Sequence, residues 1–285
     1  MNFTEQAFVF PCAGDELLGI VAMPEEPAKT GVLVVVGGPQ YRAGSHRQFL
    51  LLSRALARTG YPAMRFDHSG MGDSGGRPIC FEALHDNISA AIDAFQKKCP
   101  NVSRVVLWGL CDAASASLLY LDARKDRRVS GVVLLNPWVR AEASLARAHI
   151  KHYYGRRLMQ AEFWRKVATG RFGLRQAIGG FMGNLRKAAQ KTESARSDEA
   201  LPFQGKMLRG IEGFSGEVLL LLSENDYTAK EFLEVVRKDR AWAAILGRLT
   251  RKEVGGADHT FSSASWRKEV ETLTIDWLDD LAKKT

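Results

Sequence analysis

Long apolar runs are missing from this chain. Val32–Val36, Val132–Leu135 and Val218–Leu222 all stop far short of the roughly 20 residues that a membrane-spanning helix needs. The stretch from Met1 to Phe10 has no basic segment ahead of an apolar one, so no signal peptide is expected. Cysteine is scarce. Cys12, Cys80, Cys99 and Cys111 form no Cys-x-x-Cys pair and no metal-ligand spacing, which points to reduced thiols and a cytoplasmic location. There is no His-Glu-x-x-His, no Cys/His cluster and no Gly-Lys-Ser/Thr phosphate loop, so neither a metal nor a nucleotide cofactor is expected. Solenoid repeats and low-complexity tracts are also absent.

What is present is the composition of an ordinary folded protein. The chain has 285 residues, 46% hydrophobic and 25% charged, enough to bury a large core. Its net charge of +8 is unevenly placed: Arg140 to Arg209 holds fifteen Lys/Arg against five Asp/Glu, an excess of ten. The remainder is slightly acidic. Such a local excess suits an anionic ligand, an acidic partner or a membrane surface better than general nucleic-acid binding, and it equally suits a solvated helical face.

Apolar patterning predicts a strand pair, Ala7–Phe10 and Leu17–Ala22, around a Gly14-Asp15 turn. The run Gly31–Val36 reads as a strand buried on both faces, and Ser45 with Gln48 suggests a capping box for the helix after it. Strands near Tyr61–Asp67, Val105–Leu110, Val129–Leu135, Glu217–Leu222 and Leu249–Val254 alternate with helices over Phe81–Lys98, about 112–122, Thr228–Asp239 and Ser263–Ala282. Between Val139 and Gly213 the alternation gives way to helical patterning rich in Arg and aromatics. The expectation is an α/β fold, a mostly parallel central sheet with helices on both faces. Residues 1–138 and 214–285 form its core, and 139–213 a helical insertion after the sixth strand.

The stretch Gly109-Leu110-Cys111-Asp112-Ala113 has the layout of a nucleophile elbow, Gly-x-Ser-x-Gly, with Cys for Ser and Ala for the second Gly. A thiol there sits at a helix N-terminus, which favours the thiolate. A small buried Cys in a strand-to-helix connection is the plainer alternative. The rest of the chain supports the reactive reading. Cys111, Asp226 and His259 each follow a predicted strand, so all three converge on the carboxyl edge of the sheet. Their order matches a nucleophile, an acid and a base. Glu224 competes with Asp226 as the acid, and a helix N-cap is the structural alternative for Asp226. His46, His68, His85, His149 and His152 are less well placed than His259, and Asp258 suits a loop or cap role. Backbone N–H groups of Asp112 and Gln40 are the expected donors to an oxyanion; Pro39 has none to offer.

Four segments resemble the α/β-hydrolase superfamily and, more narrowly, the exosortase A system-associated hydrolase 1 family of bacteria. They are Gly37-Gly38-Pro39-Gln40-Tyr41-Arg42-Ala43-Gly44-Ser45-His46-Arg47-Gln48-Phe49, Arg65-Phe66-Asp67-His68-Ser69-Gly70-Met71-Gly72-Asp73-Ser74, Gly109-Leu110-Cys111-Asp112-Ala113-Ala114-Ser115 and Gly256-Ala257-Asp258-His259-Thr260-Phe261. The resemblance spans nearly the full chain. It implies an α/β-hydrolase core with a helical lid inserted after the sixth strand, and it supplies no substrate. Tyr41, Arg42 and Trp138 are candidates for the substrate pocket. Tyr153, Tyr154, Phe163, Trp164, Phe172 and Phe181 suit an acyl pocket too, although such a stripe is more often the core of its own helices.

An acyl-cysteine is a thioester, so esters and thioesters are the favoured substrates, small molecules whose anionic groups the basic lid would recognise. Two alternatives stay open: acyl transfer on the same three residues, and a non-catalytic binding protein in which Cys replaces a lost Ser. Oligomeric state is not legible in the sequence.

Overall fold

The computed structural model describes residues 2–38, 40–140 and 201–284. Its strands are β1 (Phe3–Cys12), β2 (Asp15–Pro24), β3 (Thr30–Val35), β4 (Ala63–Phe66), β5 (Arg104–Leu110), β6 (Val129–Leu135), β7 (Glu217–Ser223) and β8 (Thr250–Val254). Its helices are α1 (Gln48–Arg58), α2 (His85–Lys98), α3 (Asp112–Arg124), α4 (Phe203–Glu212), α5 (Tyr227–Lys238), α6 (Arg240–Leu246) and α7 (Ala264–Lys284).

The strands form one sheet in the order β1-β2-β4-β3-β5-β6-β7-β8. The β1/β2 and β2/β4 pairs are antiparallel, and every pair from β4/β3 to β7/β8 is parallel. Two-sided burial explains why the central strands read as unbroken apolar runs. Successive side chains alternate between faces. Val32, Val34, Val106, Trp108, Val133, Leu135, Leu219 and Leu221 pack on the side of α1 and α7. Leu33, Val35, Leu107, Val132, Leu134, Leu220 and Leu222 pack on the opposite side, with α2, α3 and α5. The sheet therefore carries two cores, and no strand face between β3 and β7 is left to solvent.

Local chemistry shifts several boundaries. Ser45 caps nothing: Ser45–Arg47 is a short 3₁₀ turn, and α1 starts at Gln48 after Arg47 in the left-handed region at φ 61°. Phe81–Ala83 is likewise a 3₁₀ turn, with α2 beginning at His85. Helix α6, unanticipated from the apolar pattern, is capped by Asp239, whose Oδ1 accepts from Ala241 N and Trp242 N at 2.8 and 3.3 Å.

Met1–Val139 and Phe203–Thr285 make one compact unit. Arg140–Pro202 makes a second, which lies almost entirely outside the described residues. The boundary at 213 expected for the insertion thus moves to about 202. Helix α4 belongs to the first unit because it packs on α3. Met207 is buried, a Cβ on Gly210 would collide with the Leu118 carbonyl oxygen, and Arg209 grips Asp122 through two bonds of 2.6 and 2.7 Å. The Val139 carbonyl accepts from Gln204 Nε2 at 3.0 Å. No helix among the described residues is long and apolar enough to cross a membrane.

Candidate active site

The turn from β5 into α3 is built around an unusual backbone conformation. Cys111 has φ 61° and ψ −122°, a region that costs a non-glycine residue roughly 1–3 kcal/mol. The turn closes this tightly because residue 109 has no side chain: a Cβ there would stand 2.6 Å from the Ala113 carbonyl carbon and 2.7 Å from Ala114 N. Ala113 is wholly buried in the same contact. The neighbouring chain pins the elbow from behind. Cys111 N donates to the Leu135 carbonyl at 2.8 Å, and the Cys111 carbonyl accepts from Trp138 N at 3.2 Å. Ser115 Oγ in turn donates to the Trp138 carbonyl at 2.6 Å. Strain at Cys111 is thus held by β6 and α3 together, leaving its side chain part-exposed.

His259 lies five residues beyond β8, and Asp226 three beyond β7. Their side chains meet with Nδ1 of His259 2.9 Å from Asp226 Oδ2. Cys111 and the imidazole line the same cavity, and the sulfur acts on the ring electrostatically. Asp226, firstly, and then the Cys111 sulfur raise the pKa of His259 to about 10. Asp226 is pulled the other way. Burial pushes its pKa up, but His259 and the amides of Ala229 and Thr228 outweigh this and hold it below the usual carboxylate value.

Those amides show that Asp226 has two jobs. It is the N-cap of α5, accepting from Thr228 N at 3.2 Å and from Ala229 N at 3.1 Å, while it also faces His259. The cap and the histidine partner are one carboxylate, not alternatives. Glu224 points elsewhere: its Oε2 accepts from Gly256 N at 2.7 Å. Asp258 accepts from Thr260 N, Ser262 N and Ser262 Oγ, a loop role. His68 is buried with its ring nitrogen near the Ser69 carbonyl, and burial lowers its pKa. His149 and His152 lie outside the described residues.

A cavity of about 380 Å³ opens over Cys111, within the range of small-molecule sites. Trp138, Phe81, Gln40, Asp112 and His259 line it with Cys111. Tyr41 and Arg42 do not. Tyr41 is exposed, and Arg42 is bound to Asp67 and to Asp73 at 2.6 Å, with its own N–H donating to Asp67 Oδ1 at 2.6 Å. Arg42 therefore ties the loop after β3 to the loop after β4. The aromatics expected from 153 to 181 lie outside the described residues.

Asp112 is the residue whose side chain the sequence did not flag. Its Oδ2 accepts from Gly38 N at 2.7 Å, and a Cβ on Gly37 would collide with Oδ1. Burial raises its pKa against the opposing pull of the amides of Gly38, Ala113 and Asp112 itself. The Asp112 amide, an expected oxyanion donor, therefore also faces its own carboxylate. Gln40, the other expected donor residue, stands at the same cavity with its side-chain Oε1 buried and unpartnered among the described residues.

Asn136 also escaped notice beyond ending a strand. It is fully buried at φ 43°, a conformation asparagine tolerates better than most. Its Nδ2 donates to Ser223 Oγ at 2.8 Å and to the His259 carbonyl at 3.2 Å, and its Oδ1 accepts from Ser223 N at 2.9 Å. Ser223 Oγ then donates to the Asp258 carbonyl at 2.8 Å. One amide side chain thus joins the ends of β6 and β7 to the His259 loop. The signal in the sequence was weak: an asparagine directly after a buried strand.

Residues 28–183, more than half of the chain, match the family described as Serine aminopeptidase, S33. The chain belongs to that family. As a member of the serine aminopeptidase family it is an α/β hydrolase, and it departs from the serine of the family's description by carrying Cys111 in the elbow. No curated protein sequence matches it. An esterase from Pyrococcus furiosus superposes with a TM-score of 0.64 at 14% identity, covering 98% of this chain and 91% of that one. Est1E from Butyrivibrio proteoclasticus, with ferulic acid bound, gives 0.62 at 14% identity over 97% and 100%. A thermophilic esterase from Thermogutta terrifontis, malate bound, gives 0.57 at 18% identity over 97% and 99%. At such identities the likeness bears on the fold, the α/β-hydrolase fold.

Proposed function

We propose that this hydrolase cleaves activated esters or thioesters through a covalent acyl-cysteine intermediate, with Cys111 as nucleophile, His259 as base and Asp226 as the acid that orients it. The observation carrying this reading is the 2.9 Å bond from Asp226 Oδ2 to the His259 ring, with that ring and Cys111 lining one cavity. Sγ attacks the carbonyl carbon, forming the S–C bond and placing a negative charge on oxygen. Collapse of that intermediate breaks the bond to the leaving group, which takes its proton from His259. Water then attacks the thioester, His259 takes a proton from it, and the acid and the thiolate are released. The amides of Asp112 and Gln40 are the donors to the oxyanion in this scheme.

Two features favour activated donors over amides. When an amide is attacked, the thiolate is a better leaving group than the amine, so the intermediate reverts. The Asp112 carboxylate beside its own amide also weakens the oxyanion site, and a good leaving group needs less help from it. On the same reading the protein works in the cytoplasm, in keeping with four free cysteines; the helical lid expected over 139–213 falls for the most part outside the described residues. The narrower kinship with exosortase A system-associated hydrolases is part of this proposal and supplies no substrate.

The test is alkylation of Cys111 by iodoacetamide at about pH 6, where an unassisted thiol is almost fully protonated, read by peptide mass spectrometry. Wild-type Cys111 is expected to react quickly, and the His259→Ala variant slowly. Equal, slow rates in both would overturn the activated-thiolate reading. Turnover of a 4-nitrophenyl ester that vanishes in Cys111→Ala then distinguishes catalysis from a merely reactive thiol. Stimulation of product release by an added alcohol or amine would instead favour acyl transfer.

A further inference from the structure

We infer that the acyl donor is uncharged around its carbonyl group, and that the Asp112 side chain is the specificity determinant that excludes anionic acyl groups. The inference rests on the hydrolase reading above and narrows its substrate. Three observations carry it.

The cavity over Cys111 has no Lys or Arg among its described lining residues; its walls are Trp138, Phe81 and the glycine backbone of the loop after β3. Arg42, two residues from Gln40, is bound to Asp67 and Asp73 and stands off the cavity, and neither Arg47 nor Arg140 is among its lining residues. Among the described lining residues the one group that can carry a positive charge is His259, which is committed to Asp226.

Asp112, in contrast, brings a carboxylate to the wall directly beside the nucleophile, and it cannot swing away. Gly38 N holds Oδ2 at 2.7 Å, and Oδ1 fills the space that a side chain at residue 37 would need. Once Cys111 is acylated and the leaving group has carried off the His259 proton, the carboxyl groups of Asp226 and Asp112 are left in a partly buried site with no facing cation among the described residues. A carboxylate on the acyl group is repelled by them, and in a cavity open to solvent added salt screens that repulsion in part. The rings of Phe49, Phe81 and Trp138 offer apolar contact in its place.

The test compares 4-nitrophenyl hexanoate with mono-4-nitrophenyl adipate, chains of equal length that differ by one carboxylate, at about pH 8, where a carboxyl group is ionised. The adipate ester is expected to show kcat/KM at least about tenfold lower, a modest factor for like charges held within about 8 Å at an effective dielectric of about 20. In Asp112→Asn the ratio between the two esters is expected to narrow at least about threefold, whatever happens to either rate alone. Raising the salt concentration is expected to narrow the wild-type ratio in the same direction, which keeps the test open if the variant fails to fold. Equal rates on the two esters, or a ratio unmoved by both the substitution and salt, would overturn the inference while leaving the hydrolase reading intact. No turnover of either ester, together with loss of the His259-dependent alkylation, would overturn both.

Discussion

Asp226 lets stability and chemistry be pulled apart at one carboxylate. Oδ1 accepts from Thr228 N, whereas Oδ2 accepts from Ala229 N and also faces His259 Nδ1. Replacement by alanine removes the N-cap of α5 and the partner of His259 together. Loss of the cap is worth about 1–2 kcal/mol, or roughly 2–6 °C in Tm for a chain of this size. Replacement by asparagine is more informative, since asparagine caps helices as well as aspartate does. It has only one acceptor oxygen, however. Turned toward Thr228, it keeps that cap bond, loses the one from Ala229 N and leaves an NH₂ facing His259 Nδ1, which forces the ring into the tautomer that cannot take a proton from Cys111. Turned the other way, it sets an NH₂ against the Thr228 N–H. The first arrangement keeps half of the cap and stops the chemistry. Asp226→Asn is therefore expected to melt within about 1 kcal/mol of wild type yet to lose roughly 10³-fold or more in ester turnover. Paired thermal melts and 4-nitrophenyl ester assays check both halves. Wild-type turnover in a normally folded Asp226→Asn protein would refute the role given to this carboxylate.

Other outcomes follow from the same geometry. Gly109→Ala drives a Cβ into the backbone of Ala113 and Ala114, so it should cost about 1–3 kcal/mol and misplace Cys111, seen as slower alkylation of the folded fraction. Asn136→Gly keeps the positive φ but removes three side-chain bonds, two to Ser223 and one to the His259 carbonyl. A loss of about 2–4 kcal/mol in denaturant unfolding is expected, together with a lower kcat at little-changed KM; a fall in stability with kcat unchanged would make Asn136 purely structural. The His259–Asp226 pair should also leave a mark on stability against pH. His259 has its folded pKa raised from 6.5 to about 10, so its contribution is full below about 6.5 and disappears as pH rises through about 10. Asp226, whose folded pKa is lowered, contributes above 3.8 and loses that as pH falls through its folded value. The Tm advantage of wild type over His259→Gln should accordingly shrink as pH is raised from about 6 toward 10, and an advantage that grew over that range would contradict the pairing.

The sequence by itself determined the sheet, because a strand buried on both faces must be apolar at every position and such runs at β3, β5, β6 and β7 are hard to mistake. It determined the elbow as well: glycine, reactive residue and small residue in that order leave few other ways to turn from strand to helix. Order along the chain singled out Cys111, Asp226 and His259 as candidates, since each follows a strand of one parallel sheet. Only the tertiary structure decided what binds to what around them. That Asp226 caps a helix while it faces His259 depends on two strand ends meeting, and nothing local in the sequence records it. Arg42 looked available for a ligand until Asp67 and Asp73, more than twenty residues away, were seen to hold it. Asn136 and the Asp112 side chain acquire their importance from partners 87 and 74 positions distant in the chain. Periodicity reports which face of an element is buried, whereas hydrogen bonds between loops depend on distances that only the assembled sheet fixes.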